Sequence, residues 1–213
     1  WLTKQFTSPI NVAIPSGNFG NAYSAWFGRS NGLPINQIFC STNVNDVLRR
    51  FIETGELAPE ETSPSVAPSM DIQIPSSLER LIFDFTDSAS DFYTTLSQEQ
   101  KAKLNKEEVI ELNHVFSSNT FSDDVIKGEI ESLFEEFDSI FDPHSVTSIR
   151  MALDNQDSIP TVAVATASPE KFSNVIAPII ESSTEVKIDD KEEYLILKSD
   201  KFSISESIKA YFS

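Results

Sequence analysis

The residues best placed to do chemistry are Ser16-Gly17-Asn18-Phe19-Gly20-Asn21, set between an apolar run, Asn11-Val12-Ala13-Ile14, and Ala22, Ala25, Trp26 and Phe27 at helical spacing. At a strand-to-helix junction the first helical N–H groups lack intrahelical acceptors, and the positive end of the helix dipole faces the loop. A phosphate is stabilised there. Gly17 and Gly20 let the backbone approach an anion with no Cβ between, while Asn18 and Asn21 can cap the helix or donate hydrogen bonds. The loop lacks the Gly-Lys-Ser/Thr ending of a triphosphate loop and the three glycines of a dinucleotide fingerprint. Where a dinucleotide site needs an acid, about 20 residues on, the chain carries Cys40-Ser41-Thr42. A phosphate monoester remains, either a phosphorylated substrate or pyridoxal phosphate; the competing reading is an Asn-capped turn that binds nothing. A second candidate is Thr166, at the end of the apolar run Pro160 to Ala165. Ligands of open α/β sheets lie beyond the carboxyl ends of strands, so its hydroxyl could bond a cofactor ring nitrogen or simply cap the helix that Pro169 opens.

The elements that must position these residues can be read from the hydrophobic pattern. Gly32 and Pro34 end the first helix, and Gln37-Ile38-Phe39-Cys40 reads as a second buried strand. Asn43 or Asn45 is then expected to cap a helix carrying Val47, Leu48, Phe51 and Ile52, stopped by Gly55. Pro160 to Thr166 reads as a third buried strand, with Pro169 in the first turn of a helix reaching about Ile180. Continuously apolar strands have both faces covered, which makes the fold α/β with a parallel sheet flanked by helices. Leu57 to Met70, rich in Pro, Ser and Glu, reads as a loop, and Ser76 to Asp142 as helical. Capping boxes are expected at Ser97/Gln100 and Asn105/Glu108. Ile126, Ile130, Leu133, Phe134, Phe137, Ile140 and Phe141 form one apolar stripe. The organisation expected is an α/β part at 1–56, a loop and acidic helical insertion at 57–158, and completion of the α/β domain at 159–213. In the last part a hairpin around Asp189-Asp190 and a helix from Ser205 are expected.

The chain has 213 residues, with 33 acidic and 16 basic side chains and a net charge of −17. Residues 79–142 hold 16 acids and 5 bases, a net −11, so the acidity belongs mostly to the helical insertion, as a solvated face. Such a charge repels phosphate backbones and anionic lipid, and no apolar run approaches the roughly 18 residues of a bilayer span. Nucleic acid and membrane are therefore not expected as partners. The lone Cys40 has no partner for an internal disulfide and no signal-peptide pattern opens the chain, which fits a reducing cytoplasm. Residue 1 is Trp rather than Met, so a partial chain is expected.

Seven motifs stand in the order found in threonine synthase: Ile14 to Asn21, Gly32-Leu33-Pro34-Ile35, Thr42 to Leu48, Pro68-Ser69-Met70-Asp71-Ile72-Gln73, Leu78-Glu79-Arg80-Leu81, Asp142-Pro143-His144 and Thr166 to Phe172. The chain resembles the long form of that family over about residues 9 to 180, in its carboxyl-terminal portion. The resemblance implies a fold type II pyridoxal phosphate enzyme, similar to the tryptophan synthase β subunit. Its reaction would take O-phospho-L-homoserine and water to L-threonine and phosphate. Gly17, Asn18, Phe19, Gly20 and Asn21 would hold the cofactor phosphate, and Thr166 would bond the pyridine nitrogen. A hydroxyl leaves that nitrogen largely unprotonated, a weaker electron sink that suffices where the leaving phosphate carries off charge.

The chain departs from the family pattern at Asn21, where Asp is frequent, at Ser168, where His is usual, and at Ser145-Val146-Thr147-Ser148, which replaces Thr-Ala-Val-Gly. The Ser-Phe-Lys-Asp motif of the Schiff-base lysine is absent, and Lys4 stands in no such context. The lysine then belongs to a missing amino-terminal part, and this chain alone is not expected to turn over. Two other readings remain. One is a threonine-synthase-like phospho-lyase on a related phosphorylated substrate; the other is a non-catalytic phosphate-binding or interaction module on the same scaffold. His114 reads as a surface residue, His144 as a turn or supporting residue, Cys40 as a small buried hydrophobe, and Asn45 and Asp71 as cleft or capping residues. No residues show metal-ligand spacing.

Overall fold

The computed structural model describes residues 8–86, 88–156 and 158–180. Ile10–Pro15 forms β1, buried at all six positions, and Ile35–Thr42 forms β2. Their side chains alternate between two cores: Val12, Ile14, Ile38 and Cys40 face one, Ala13 and Phe39 the other. This two-sided burial is why both strands read as unbroken apolar runs. β5 (Phe116–Thr120) lies outside β2 and β6 (Thr161–Ala163) outside β1, giving a parallel four-stranded sheet in the order β5-β2-β1-β6.

The first face is covered by α1 (Gly20–Ser30), α2 (Val47–Thr54), α3 (Leu78–Phe85), α4 (Ala89–Glu99) and α5 (Lys106–Val115). Phe51, Leu81, Ile82 and Leu112 are buried there, and Phe19 and Trp26 meet Phe116 at ring-centroid distances of 5.5 and 6.2 Å. Each large side chain so buried contributes about 1.5–3 kcal/mol. The second face is covered by α6 (Asp123–Phe137), α7 (Pro143–Asp154) and α8 (Ser173–Ile180), through Ile126, Ile130, Val146, Met151 and Ile176. Two-residue strands β3 (Glu56–Leu57) and β4 (Ala102–Lys103) pair antiparallel beside α2.

The α/β expectation is what the structure shows, with differences in detail. The segment read as purely helical, 76–142, also contributes β4 and β5, so it is woven into the main sheet. Pro160 to Thr166 was expected to be a buried strand; only Thr161–Ala163 is strand, half-buried at the sheet edge, with one further bond from Val164 N–H to the Ala13 carbonyl at 2.9 Å. The residue at the start of α2 is Asp46, not Asn43 or Asn45. Ser97 lies inside α4 and Gln100 ends it in a left-handed conformation, so the first capping box does not form. The second does, with Asn105 and Glu108 each bonding the other's backbone N–H. Along the stripe of α6, Ile126, Ile130 and Leu133 are buried but Phe137 is exposed. Gly32 and Gly55 end their helices with positive φ as their positions suggested. Lys4 and the tail from Thr184, with its expected hairpin and last helix, lie outside the described residues.

Candidate functional site

β1 and β6 run parallel, so their carboxyl ends open on the same side of the sheet. A cavity of about 300 Å³ lies there, lined by Gly17, Asn18, Phe19, Gly20, Asn21 and Thr166 together with Pro15, Ser69, Met70, His144 and Ala167. All six candidate residues, drawn from two segments about 145 positions apart, are thus brought together. None of the lining residues is an acid, a lysine or an arginine.

The backbone N–H groups from Gly17 to Ala22 find no acceptor among the described residues; the first bond of this turn is Tyr23 N–H to the Phe19 carbonyl, 2.9 Å. No acidic residue stands in the first turn of α1. Open donors at the positive end of an eleven-residue helix, facing a neutral cavity, match an anion with several acceptor oxygens. The expected Asn capping is not made. Phe19 occupies the cap position in a left-handed conformation, φ 68°, with no side-chain cap bond. That conformation costs about 1–2 kcal/mol for a non-glycine residue, which burial of its ring, 1% exposed, offsets. Phe19 is therefore a core anchor whose backbone, not its ring, is available to a ligand.

The two loop glycines differ. A Cβ on Gly17 would lie 2.7 Å from the Ser69 carbonyl oxygen and 3.0 Å from Met70 Cα, whereas one on Gly20 would meet nothing nearer than Ser77 Oγ at 3.6 Å. Gly17 is thus required by the close approach of the facing loop, a reason additional to the anion. The Asn18 carboxamide oxygen accepts from Ser76 N–H (3.3 Å) and Ser76 Oγ (3.2 Å), tying the loop to the segment before α3. Asn21 is exposed at the cavity.

Thr166 is exposed, and its hydroxyl has no partner among the described residues. It is not the helix cap that was the alternative: Ser168 precedes the 3-10 turn Pro169–Phe172. Its backbone N–H donates to Ser145 Oγ at 2.9 Å. Ser145 Oγ donates to Asp142, which caps α7 and is 1% exposed. The same carboxylate accepts from His144 N–H (2.9 Å) and bonds His144 Nδ1 (2.8 Å). Burial pushes the Asp142 carboxyl up, but the hydrogen bonds from His144 and Ser145 outweigh it and hold the group below the ordinary carboxylate range. His144 Nε2 accepts Ser69 N–H at 3.1 Å, so the ring proton sits on Nδ1. His144 is thus the supporting residue it was read as, although it also lines the cavity; Ser145 was noted only as a departure from the family pattern and Ser69 only as part of a motif, neither with these contacts. The signal for them was Asp142-Pro143, a capping acid followed by proline, which places a helix start at the strand ends.

The facing loop is held by a second polar array. Asn43 donates to Ser65 Oγ (2.7 Å), Asp71 Oδ1 (2.6 Å) and the Ala67 carbonyl (3.2 Å), while Asn45 bonds Ser63 and Asp71. Asn43 and Asn45 are buried at the end of β2. They and Asp71 therefore fasten residues 63–73, and with them Ser69 and Met70, rather than lining the cavity. Cys40 is buried beneath it, its thiol pushed up to about 12 by burial, as expected of a small hydrophobe. His114 is exposed on α5, as expected.

An open parallel sheet with a neutral, donor-rich cavity at its carboxyl edge defines an α/β ligand-binding fold, and solved structures identify that fold as the one found in threonine synthases. The PLP-bound threonine synthase of Brucella melitensis matches with a TM-score of 0.81 and 26% identity, over 95% of this chain and 46% of that one. The threonine synthase of Pseudomonas aeruginosa is 29% identical over 173 residues, 78% of this chain and 37% of its own length. Human threonine synthase-like 1 is 30% identical over 85% of this chain and 25% of its length. No protein-family model matches. The resemblance seen in the motifs therefore runs along most of the chain, which spans 25–46% of the length of these relatives.

Proposed function

We propose that the protein to which this chain belongs is a threonine synthase of fold type II, cytoplasmic, converting O-phospho-L-homoserine and water to L-threonine and phosphate. The observation that carries this reading is the meeting, at one cavity, of the open N–H groups of Gly17 to Asn21 and the hydroxyl of Thr166, which has no partner among the described residues. The threonine synthase from Brucella melitensis is described as PLP-bound. The residues of this chain fit that cofactor: a phosphate ester is matched by the loop donors of Gly17, Asn18, Phe19, Gly20 and Asn21, and a ring nitrogen by Thr166. Pyridoxal phosphate, when bound, supplies an electron sink for the carbon next to the substrate amino group.

In this reading the chain binds and orients. The backbone donors neutralise the cofactor phosphate without a cationic side chain, since none lines the cavity. The Thr166 hydroxyl would hold the ring nitrogen by a hydrogen bond, and a neutral hydroxyl, unlike a carboxylate, would not stabilise a pyridinium there. His144 and Ser69 close the opposite wall. No Ser-Phe-Lys-Asp motif occurs among the 213 residues, so turnover is assigned to the longer protein. A second reading, a phospho-lyase on a related substrate, is favoured by the 30% identity to threonine synthase-like 1 and by Ser168 and Ser145.

The test is release of phosphate and threonine from O-phospho-L-homoserine by the longer reading frame, with and without added pyridoxal phosphate. Equimolar, cofactor-dependent release is expected. Bound cofactor without release moves the assignment to the second reading, and a protein that takes up no pyridoxal phosphate sinks both.

A further inference from the structure

We infer that Ser145, anchored by Asp142, is a positioning residue that sets the placement of Thr166 against the ring of the cofactor. This rests on the proposed cofactor reading but names residues outside the loop and Thr166. Thr166 lies beyond the last sheet bond of its strand, which is Val164 N–H to the Ala13 carbonyl. The sheet therefore does not fix it. The bond that does is Thr166 N–H to Ser145 Oγ, 2.9 Å, and Ser145 is wholly buried.

The direction of the bonds makes this a one-way support. A serine hydroxyl has one proton, and it goes to Asp142, an acceptor-only carboxylate in its ionised form. The lone pairs of Ser145 Oγ are left to face the Thr166 N–H. Asp142 in turn is held by His144 N–H, by Ser145 N–H at 3.3 Å, and by its place at the start of α7. Ser148 Oγ shares its proton between the Ser145 carbonyl at 2.8 Å and the Val164 carbonyl at 2.9 Å, so α7 meets the same strand end at a second point. The result is that the first turn of α7, itself packed on the sheet, holds the backbone of Thr166 at the cavity edge. The other arm of the carboxylate runs through His144 to the N–H of Ser69, which also lines the cavity. One buried acid thereby connects Thr166, through Ser145, with Ser69, through His144, and Thr166, His144 and Ser69 all line the cavity.

A residue that acts only through Thr166 has a signature that general destabilisation lacks. In the longer reading frame, Ser145→Ala should weaken pyridoxal phosphate binding about fivefold, as expected for one lost hydrogen bond, and shift the visible absorption band of the bound cofactor. Thr166→Val should do the same. The double variant should bind no worse than Thr166→Val alone, since the support has nothing left to position. Ser145→Thr, which keeps the hydroxyl, should restore both affinity and absorption band. Binding by fluorescence titration and the absorption spectrum are read out independently of turnover. Equal losses from Ser145→Ala with and without Thr166, or an unchanged spectrum in Ser145→Ala, would overturn the inference while leaving the cofactor assignment standing. Failure of the unaltered protein to bind pyridoxal phosphate would overturn both.

Discussion

Asp142 shows how one side chain ties local structure to the site. It is buried, it caps a helix, and its carboxyl is held below the ordinary range because the bonds from His144 and Ser145 outweigh the cost of burial. A carboxyl whose folded value lies below its unfolded one, near 3.9, adds stability that is fully present above about pH 4 and is lost as the pH falls through the folded value. Asp142→Asn should therefore lower stability at pH 7 by about 2 kcal/mol and flatten the loss of stability on acidification below pH 4. Denaturant unfolding at a series of pH values checks this; a variant profile parallel to the parent's would contradict it. Asp142 was read as the end of a helical segment; the Asp-Pro pair that signals the start of α7 was not used, and the second role of Asp142 was hidden. Which hydroxyl and which N–H it reaches depends on α7 lying against β6, a tertiary fact. Gly17 is similar: its type was legible as an anion-loop glycine, while the packing of Ser69 on it was hidden.

At the scale of elements, the facing loop is long yet well bonded, because Asn43 and Asn45 at the end of β2 meet Asp71 and Ser65 across it. Replacing Asn43 by Ala leaves the Asp71 carboxylate short of a donor and frees the Ala67 carbonyl, a loss of about 1–3 kcal/mol. The expected outcome is faster proteolysis within residues 58–73 with the sheet still protected from hydrogen exchange. Protection lost uniformly from sheet and loop would show that these asparagines do not act locally. One or the other was read as the helix cap, and Asn45 also as a cleft residue, since Asn before an apolar helix is the ordinary cap signal. The loop claims them because an amide that both donates and accepts can satisfy several buried backbone groups. The strands β1 and β2 were legible because burial on both faces leaves an unbroken apolar run. β5, Phe116-Ser-Ser-Asn-Thr, was missed because it is an edge strand with one large apolar residue, and its polar positions imitate a loop. β6 was overextended for the converse reason: of the seven residues Pro160 to Thr166 only three are in the ladder, with Pro160 and Val164 each adding one backbone bond to β1 and Thr166 lying at the cavity.

On the scale of the molecule, charge is distributed so that the site is kept clear of it. The stretch 79–142 carries net −11 of the total −17, yet the residues lining the cavity are all uncharged in type, apart from the histidine; the positive dipole end of α1 faces it, and the nearby Asp142 carboxylate is bonded to His144 and Ser145. An anion is therefore received by backbone donors inside an acidic protein, and this distinguishes phosphate recognition from general electrostatic attraction. The central claim is that these donors hold the phosphate ester of the cofactor. Its most direct measurement is a titration of the longer reading frame with pyridoxal phosphate and with pyridoxal, with inorganic phosphate as a competitor. Two charge-assisted hydrogen bonds contribute about 3 kcal/mol, so pyridoxal phosphate should bind on the order of 100-fold more tightly than pyridoxal and be displaced by phosphate. Equal affinities for the two, with no competition from phosphate, would contradict the account.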